Sequence, residues 1–215
     1  MVNGVSRERV GRGELPGQMA SFGPATVPRQ AATVILLRGG AAAIEALLVQ
    51  RSPHARFMAS VWVFPGGAVE ADERGSPDGH RLAALRELRE EAGVRLGSRA
   101  DLVELSRWIT PAEVEVRFDT RFFLAELPPG EVVRVDGEEC VAHRWMTPAA
   151  ALAACAAGEL QLVLPTIKHL ERLAGYPNVA ELLGAAQGFD LSPVQPRIVL
   201  VDGDPRVLLP GEPGY

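Results

Sequence analysis

Three glutamates lie within five residues of one predicted helix, at positions 87, 90 and 91. At about 100° per residue, Glu87, Glu90 and Glu91 are neighbours on one helix surface. Like charges at this spacing destabilise a helix, and the helix dipole disfavours anions near the C-terminal end. Mg²⁺ or Mn²⁺ would remove both penalties, because hard divalent cations bind carboxylate oxygens. The cluster therefore predicts a metal site formed by all three carboxylates.

The same helix admits a second interpretation, a solvated charged face. Arg86 and Arg89 are close enough in sequence to pair with the glutamates within the helix. The core face is predicted to be a leucine stripe, since Leu82, Leu88 and Ala92 fall within about 60° of Leu85. Two alanines at positions 83 and 84 are predicted to leave the glutamate side uncrowded.

Two glycines, Gly66 and Gly67, end a strand-like run before this helix. Glycine lets the backbone come close to a ligand and present its carbonyls or amides. Glu73 follows Gly67 after five residues. From Arg86 to Val94 the order is Arg, Glu, apolar, any residue, Glu, Glu, any residue, Gly, apolar.

This combination resembles the Nudix box of the Nudix hydrolase superfamily. Gly67 matches the first glycine of the box, Glu73 its first glutamate, and residues 86–94 its helical end. The resemblance implies hydrolysis of the diphosphate in a nucleoside diphosphate linked to another moiety, with Mg²⁺ or Mn²⁺ as cofactor.

The loop before the helix departs from the common box. Twelve residues separate Glu73 from Arg86, where the common box has seven, and the surplus contains the turn-forming run RGSPDG. Asp78 stands at the common spacing before Arg86. Either Glu73 or Asp78 could therefore take the first acidic position.

A second signature lies between Leu47 and Gly67 and resembles the coenzyme A diphosphatase branch of the superfamily. The matching residues are Leu47, Leu48, Arg51, Ser52, Arg56, Phe64, Pro65, Gly66 and Gly67. Val49 replaces a threonine of this signature, and Ser60 replaces a glycine. The extended box and the segments down to about residue 186 resemble the eukaryotic organellar members of that branch.

The resemblance implies that the substrate is coenzyme A or acyl-CoA and that the products are 3′,5′-ADP and a 4′-phosphopantetheine. Arg51 and Arg56 are predicted to bind the substrate, because arginine makes forked, charge-assisted contacts to phosphate. Pairing with surface carboxylates is the alternative. Gly66 and Gly67 are predicted to line the substrate site, where a backbone carbonyl could also complete the metal coordination.

The catalytic roles follow from the same resemblance. Glu87, Glu90 and Glu91 are predicted metal ligands, and Arg86 is predicted to orient these carboxylates. The general base stays open between a glutamate of the box and one from a distant loop. Glu139, beside Glu138 and just before a strand, is the candidate from a distant loop; an exposed turn is the alternative interpretation of that pair.

Two other functions remain as alternatives. A Nudix diphosphatase could act instead on ADP-ribose, a dinucleotide or a modified nucleotide. A non-catalytic ligand-sensing Nudix module is a hypothesis from another class, although such modules usually lose carboxylates of the box and this chain keeps them.

The predicted elements that must position these residues are three strands, the glutamate helix, three more strands, three helices and a final hairpin. This order predicts an α+β fold, an α/β/α sandwich of the Nudix type with a mixed sheet. Residues 1–28 are predicted to be a flexible lead-in, and residues 29–215 a single domain. The aromatic residues of the strands, Trp62, Trp108, Phe118, Phe122 and Phe123, are predicted to be mainly core.

The charge and composition of the chain argue against some classes of binding partner. The net charge of −5 argues against broad nucleic-acid binding, and no apolar run reaches the about 18 residues of a membrane span. The first residues lack the apolar core of a signal peptide, so the prediction is a cytoplasmic protein with two free thiols, Cys140 and Cys155. The four histidines are predicted to be surface residues or substrate contacts. Homodimerisation through the N-terminal segment or the late helices is a hypothesis.

Overall fold

The computed structural model describes residues 7–9, 19–21, 25–39, 43–55, 58–98, 101–201 and 204–215. The strands in these ranges are β1 (Arg7–Arg9), β2 (Met19–Ser21), β3 (Arg29–Arg38), β4 (Glu45–Arg51), β5 (Trp62–Val63), β6 (Gly66–Ala68), β7 (Val103–Ile109), β8 (Phe118–Glu126), β9 (Cys140–Met146), β10 (Arg197–Val201) and β11 (Asp204–Leu208). The α-helices are α1 (Gly79–Ala92), α2 (Pro148–Ala156), α3 (Leu164–Leu173) and α4 (Val179–Ala186).

The central sheet has the strand order β5-β4-β3-β8-β7, with β6 also paired to β3 and β9 to β4. Strand β3 runs parallel to β8 and antiparallel to β4 and β6. The mixed sheet predicted from the sequence is therefore confirmed.

The side chains of β3 explain why both faces of this sheet are covered. Val34 and Leu36 pack with α1 on one face, whereas Ile35 and Leu37 pack in the cluster that includes α2, α3 and α4 on the other. All four side chains are fully buried. A nearly continuous apolar run is typical of a strand that is covered on both faces. The predicted α/β/α sandwich is confirmed.

Helix α1 turns a different face to the core from the one predicted. Ala83 and Ala84 are fully buried beside Leu88, whereas Leu82 and Leu85 are only half-buried. The two alanines lack bulk, so the helix can lie close to β3 along them. The prediction of a leucine stripe was therefore wrong for the residues at the centre of that stripe. The helix instead packs so that its glutamate side is turned toward the sheet.

The segment before the helix also differs from the prediction of one strand ended by Pro65 and two glycines. The strand is interrupted after Val63, and the glycines themselves form β6, which pairs antiparallel with β3. The carbonyl of Pro65 accepts a hydrogen bond from the Val34 amide at 2.8 Å. The glycines are thus fixed in the sheet by main-chain pairing.

The two ends of the chain contain short antiparallel pairs. β1 pairs with β2 inside the predicted lead-in, whose other residues before position 25 lie outside the described ranges. β10 pairs with β11, which confirms the predicted C-terminal hairpin. The division into a lead-in and one domain stays a prediction.

No helix in the described ranges combines the length and the apolar character that a membrane crossing requires. Cys140 is buried and Cys155 half-buried, and both are free thiols, as predicted.

His169 of α3 was predicted to be a surface or substrate-contact residue, and this prediction was wrong. Its side chain is 2% exposed, with the ring of Phe122 at 4.3 Å between centroids. Nδ1 donates to the Pro165 carbonyl at 2.6 Å, so Nε2 is left to accept from the Ser106 hydroxyl, also at 2.6 Å. Burial lowers the pKa of His169 to about 3, Arg172 adds to this, and the Pro165 hydrogen bond opposes it.

This buried histidine predicts an acid-sensitive contribution to stability. The unfolded chain binds a proton at His169 below about pH 6.5, and the folded protein does not until about pH 3. Stability is therefore lost as the pH falls through this window, by about 1.4 kcal/mol per pH unit. Urea unfolding of the wild type and His169→Gln at pH 7 and pH 4 should show a decline about 3 kcal/mol smaller in the variant. Equal declines in the two proteins would refute the assignment.

Candidate active site

Helix α1 places the three glutamates of the box in different environments. Glu91 is 2% exposed, Glu87 is half-buried and Glu90 is exposed. The difference follows from which face of the helix packs on β3. In this orientation Glu91 lies at the edge of the core and Glu90 lies in solvent. The hypothesis of a uniformly solvated charged face is therefore wrong for Glu91.

Glu91 is held by the β6 backbone and by a cation. Its Oε2 accepts a hydrogen bond from the Gly66 amide at 2.9 Å, and its Oε1 lies 3.8 Å from an Arg51 guanidinium nitrogen. Burial raises the pKa of Glu91 to about 7, and the charge of Glu87 adds to this, while Gly66 and Arg51 oppose it. A buried carboxylate with incomplete charge compensation is a candidate for binding a further cation.

Gly67 lies against helix α1 at a position that leaves no room for a side chain. A Cβ atom at this position would collide with the Glu87 carboxylate. The close approach lets the Glu87 side chain lie directly against the β6 backbone. The predicted glycines thus lie at the site, and their proposed carbonyl ligation stays a prediction.

Gly67→Ala is expected to lower kcat/KM by about 10-fold or more, because the new methyl group must displace the Glu87 carboxylate. Gly75→Ala is the matched control, since a Cβ there meets no atom within 4 Å. Steady-state kinetics of both variants check this prediction. Equal activity of Gly67→Ala and Gly75→Ala would show that the position of Glu87 does not matter.

Arg86 connects the loop, the strand and the helix, as its predicted orienting role requires. Its guanidinium donates to Glu73 Oε1 at 3.0 Å, to Glu87 Oε1 at 2.7 Å and to Glu90 Oε2 at 3.2 Å. It also donates to the Ala68 carbonyl of β6 at 2.9 Å. The hydrogen bonds to Glu73 raise the pKa of Arg86 further, although burial opposes this. The guanidinium therefore fixes the Glu87 carboxylate relative to β6.

The contacts of Arg86 favour Glu73 over Asp78 for the first acidic position. Glu73 is 8% exposed and receives two hydrogen bonds from Arg86 and one from the Glu70 amide. Burial would raise the pKa of Glu73, but these hydrogen bonds outweigh it and lower the pKa. Asp78 instead stands immediately before the first residue of α1.

Glu139, the candidate base from a distant loop, lies at the same site. It lines one cavity with Glu87 and Glu91, and its charge contributes to the raised pKa of both. Its backbone is fixed by Asp136, whose Oδ2 accepts from the Glu139 amide at 2.7 Å. Glu138 is exposed and lines a second cavity of about 450 Å³, which shares Glu87, Glu91 and Glu139 with the first and whose walls are all charged residues.

The predicted metal ligands do not form a finished centre. Among the residues the structure describes, no three acidic, histidine or cysteine side chains converge as a metal site. Glu87 and Glu90 point to Arg86, while Glu91 points to Gly66. The donors still fit a hard divalent cation in kind, because crowded carboxylate oxygens are what such ions bind.

Of the two predicted substrate arginines, Arg51 lies at the site and Arg56 lies outside the described residues. Arg51 ends β4 and lines the cavity beside Glu91. Arg29, at the start of β3, lines the same cavity and was missed by the sequence. No sequence signal marks it, since only the folded sheet brings it there.

The cavity itself, about 430 Å³, joins the carboxylates to an apolar surface. Its apolar walls come from strands, helix α3 and the C-terminal hairpin, and include Trp108, Phe118, Phe122, Leu164 and Val207. The aromatic residues among these were predicted mainly as core. Trp108 and Phe122 are indeed almost fully buried, yet they also face this cavity. The cavity therefore combines charged residues, both carboxylates and arginines, with an apolar surface.

Comparison with known proteins agrees with the resemblance seen in the sequence. A family model described as a NUDIX domain matches residues 27–166, more than half of the chain. A Caenorhabditis elegans protein named as nudix hydrolase 7 is 28% identical over 162 residues, which cover 60% of this chain and 55% of that protein. Human acyl-coenzyme A diphosphatase NUDT19 is 26% identical over 268 aligned positions, covering 79% of this chain and 72% of that one.

A solved structure shares the fold. The crystal structure of a NUDIX hydrolase from Alicyclobacillus acidocaldarius is 28% identical, with a TM-score of 0.66, covering 74% of this chain and 96% of that chain. This chain thus spans about half of the nematode relative and almost all of the crystallised one.

Proposed function

The chain belongs to the Nudix family, and on this premise we propose that it is a metal-dependent hydrolase of nucleoside diphosphate derivatives. We propose further that its substrate is coenzyme A or acyl-CoA, cleaved to 3′,5′-ADP and the corresponding 4′-phosphopantetheine. The names of the nematode and human relatives support the hydrolase, and the human name supports this substrate class.

The observation that carries the proposal is the shared cavity of the carboxylates and the apolar walls. In coenzyme A the diphosphate is esterified by pantetheine, which carries two methyl groups beside the ester and several methylene groups, together with one hydroxyl and two amide groups. In ADP-ribose and dinucleotides it is esterified by a sugar whose hydroxyl groups need hydrogen-bond partners when they leave water. Walls such as Phe122, Leu164 and Val207 suit the alkyl-rich group better.

The backbone at Ser60 adds support for the coenzyme A signature. Ser60 replaces the glycine of that signature, and its φ of 63° lies in the left-handed region that favours glycine. The backbone at Ser60 therefore has a conformation that a glycine at this position would adopt without strain. Val49, the other departure, is fully buried in β4 and packs in the cluster beneath α1.

The roles of the side chains follow from their positions. Glu87 and Glu91, with Glu90, would hold Mg²⁺ or Mn²⁺, which when bound neutralises phosphoryl charge and lowers the pKa of a water molecule. Arg86 keeps Glu87 in place, and Arg51 lies where it can contact a phosphate oxygen. A water oxygen forms the new bond to phosphorus, and the bridging P–O bond breaks to release a phosphomonoester.

The proton of the attacking water needs an acceptor near the carboxylates. Glu139 lines the cavity beside Glu87 and Glu91, which supports it as the base. A glutamate of the box remains the alternative. Separate Gln variants of Glu139 and Glu87, compared by the pH dependence of kcat, distinguish the two.

A substrate panel tests the proposal. The protein is incubated with Mg²⁺ or Mn²⁺ and with coenzyme A, acyl-CoA, ADP-ribose, NADH or nucleoside triphosphates, and the products are separated by chromatography. We expect 3′,5′-ADP from the coenzyme A compounds and little product from the others. Tight binding of one ligand without any turnover would instead identify a ligand sensor.

A further inference from the structure

The C-terminal hairpin of β10 and β11 forms part of the cavity, although it lies beyond residues 27–166 matched by the family model. Pro196 immediately precedes β10, and Val207 belongs to β11. Both line the same cavity as Glu87 and Glu91. Pro196 is buried and Val207 half-buried, so the hairpin contributes apolar surface to a cavity that is also lined by carboxylates.

Main-chain and side-chain contacts fix this wall to the domain. Val194 lies beside β7, where its amide donates to the Arg107 carbonyl at 2.8 Å and its carbonyl accepts from the Ile109 amide at 2.9 Å. The amide of Ile198 donates to Glu113 Oε2 at 3.2 Å. The hairpin is therefore anchored both before β10 and within it.

Val207 is held in place by apolar packing on two sides. It packs against Val114 and Ile198, which are 2% and 3% exposed, and also against the main cluster that contains Trp108 and Phe122. Leu200 of the same hairpin is 48% exposed and does not line the cavity. The two β-strands thus offer one residue that faces the cavity and one that faces solvent.

We propose that this hairpin is the substrate-selecting wall of the site, favouring nucleoside diphosphates esterified by an alkyl-rich group. The inference rests on the proposed function, in which the cavity receives a diphosphate. Pro196 and Val207 remove alkyl surface from water, which favours binding. The same residues offer no side-chain hydrogen-bond partner to a hydroxyl group, so a sugar at this wall loses affinity.

Binding of two matched ligands tests this selection directly. The ligands are the hexyl and methyl esters of α,β-methylene ADP, in which carbon replaces the bridging oxygen so that hydrolysis cannot occur. Titration calorimetry in Mg²⁺ should give at least tenfold tighter binding of the hexyl ester to the wild type. Val207→Asp should reduce this ratio to about twofold or less, because a carboxylate in the wall opposes alkyl burial.

Leu200→Asp is the matched control and should keep the ratio of the wild type. The inference is overturned if the wild type binds both esters equally, or if Val207→Asp keeps the tenfold ratio. Loss of the ratio in Leu200→Asp as well as in Val207→Asp would also overturn it, since general weakening of the hairpin would then explain both.

A second variant covers the case in which Val207→Asp fails to fold. Val207→Phe keeps the wall apolar but reduces the space, so a butyl ester should gain in affinity over the hexyl ester. An unchanged preference for chain length would contradict the proposal. Hydrolysis of the ordinary ADP esters is measured separately: binding with the expected ratio but without cleavage would count against the proposed function alone.

Discussion

Glu91→Gln is expected to lower kcat/KM by about 100-fold or more while leaving the fold intact. Glutamine keeps an oxygen that can accept the Gly66 amide, so the connection between α1 and β6 survives. The lost negative charge is what a divalent cation requires of this position. Loss of the partners that support a metal ligand typically costs about 10–100-fold, and loss of a ligand should cost at least as much.

Stability separates this effect from simple damage. Glu91 is 2% exposed, so a neutral side chain there no longer carries a buried charge. The free energy of unfolding of Glu91→Gln at neutral pH should equal or exceed that of the wild type. Urea unfolding and steady-state kinetics on the same samples make the comparison.

Two variants with the same chemical change provide the controls. Glu90→Gln should have a smaller effect on activity, because Glu90 is exposed and pairs with Arg86 and Arg89. Glu171→Gln lies on α3 in an exposed pair with Lys168 and should be nearly as active as the wild type. Near-normal activity of Glu91→Gln would refute its assignment as a metal ligand.

Arg86→Gln is expected to reduce both stability and activity. The substitution leaves the almost buried Glu73 without its cation, which should cost about 2–3 kcal/mol of the free energy of unfolding. It also frees the Glu87 carboxylate from its 2.7 Å hydrogen bond, which should lower kcat/KM by about 10–100-fold.

A double variant distinguishes the two roles of Arg86. Adding Glu73→Gln removes the unpaired charge, so the double variant should recover stability relative to Arg86→Gln and remain impaired in activity. Arg89→Gln, which loses an exposed contact with Glu90, should change neither property appreciably. Recovery of activity in the double variant would show that Arg86 serves the fold and does not orient Glu87.

The sequence predicted the elements well where the pattern was local. The nearly continuous apolar run of β3 and the glycine at the end of α1 mark those elements by themselves, and Gly93 has the left-handed φ of 69° that is typical of a glycine after a helix. The face of α1 was less predictable. Ala83 and Ala84 contribute little to the hydrophobic pattern from which a buried helix face is predicted. Their small size nevertheless determines how close the helix lies to β3.

The candidate site residues could be proposed from the sequence because the box is a local motif, but their environments could not. Spacing alone could not choose between Glu73 and Asp78, since the longer loop changes its path before α1. The contacts of Arg86 in the folded protein favour Glu73. Burial of His169 was equally hidden, because its partner Ser106 lies 63 positions earlier in the chain.

The cavity could not be predicted from the sequence at all. Its walls come from β3, β7, β8, α3 and the C-terminal hairpin, which are far apart along the chain. Trp108 and Phe122 have the sequence signature of core residues, and they are almost fully buried. Only the folded arrangement shows that they also face the carboxylates across a common space.

The most direct test of the central claim is the ratio of kcat/KM for coenzyme A to that for ADP-ribose, measured with wild-type protein in one Mg²⁺ buffer. The account predicts cleavage of coenzyme A to 3′,5′-ADP and 4′-phosphopantetheine, abolished by chelation of the metal, with a ratio well above 1. Metal-dependent cleavage of ADP-ribose with coenzyme A left intact would contradict it.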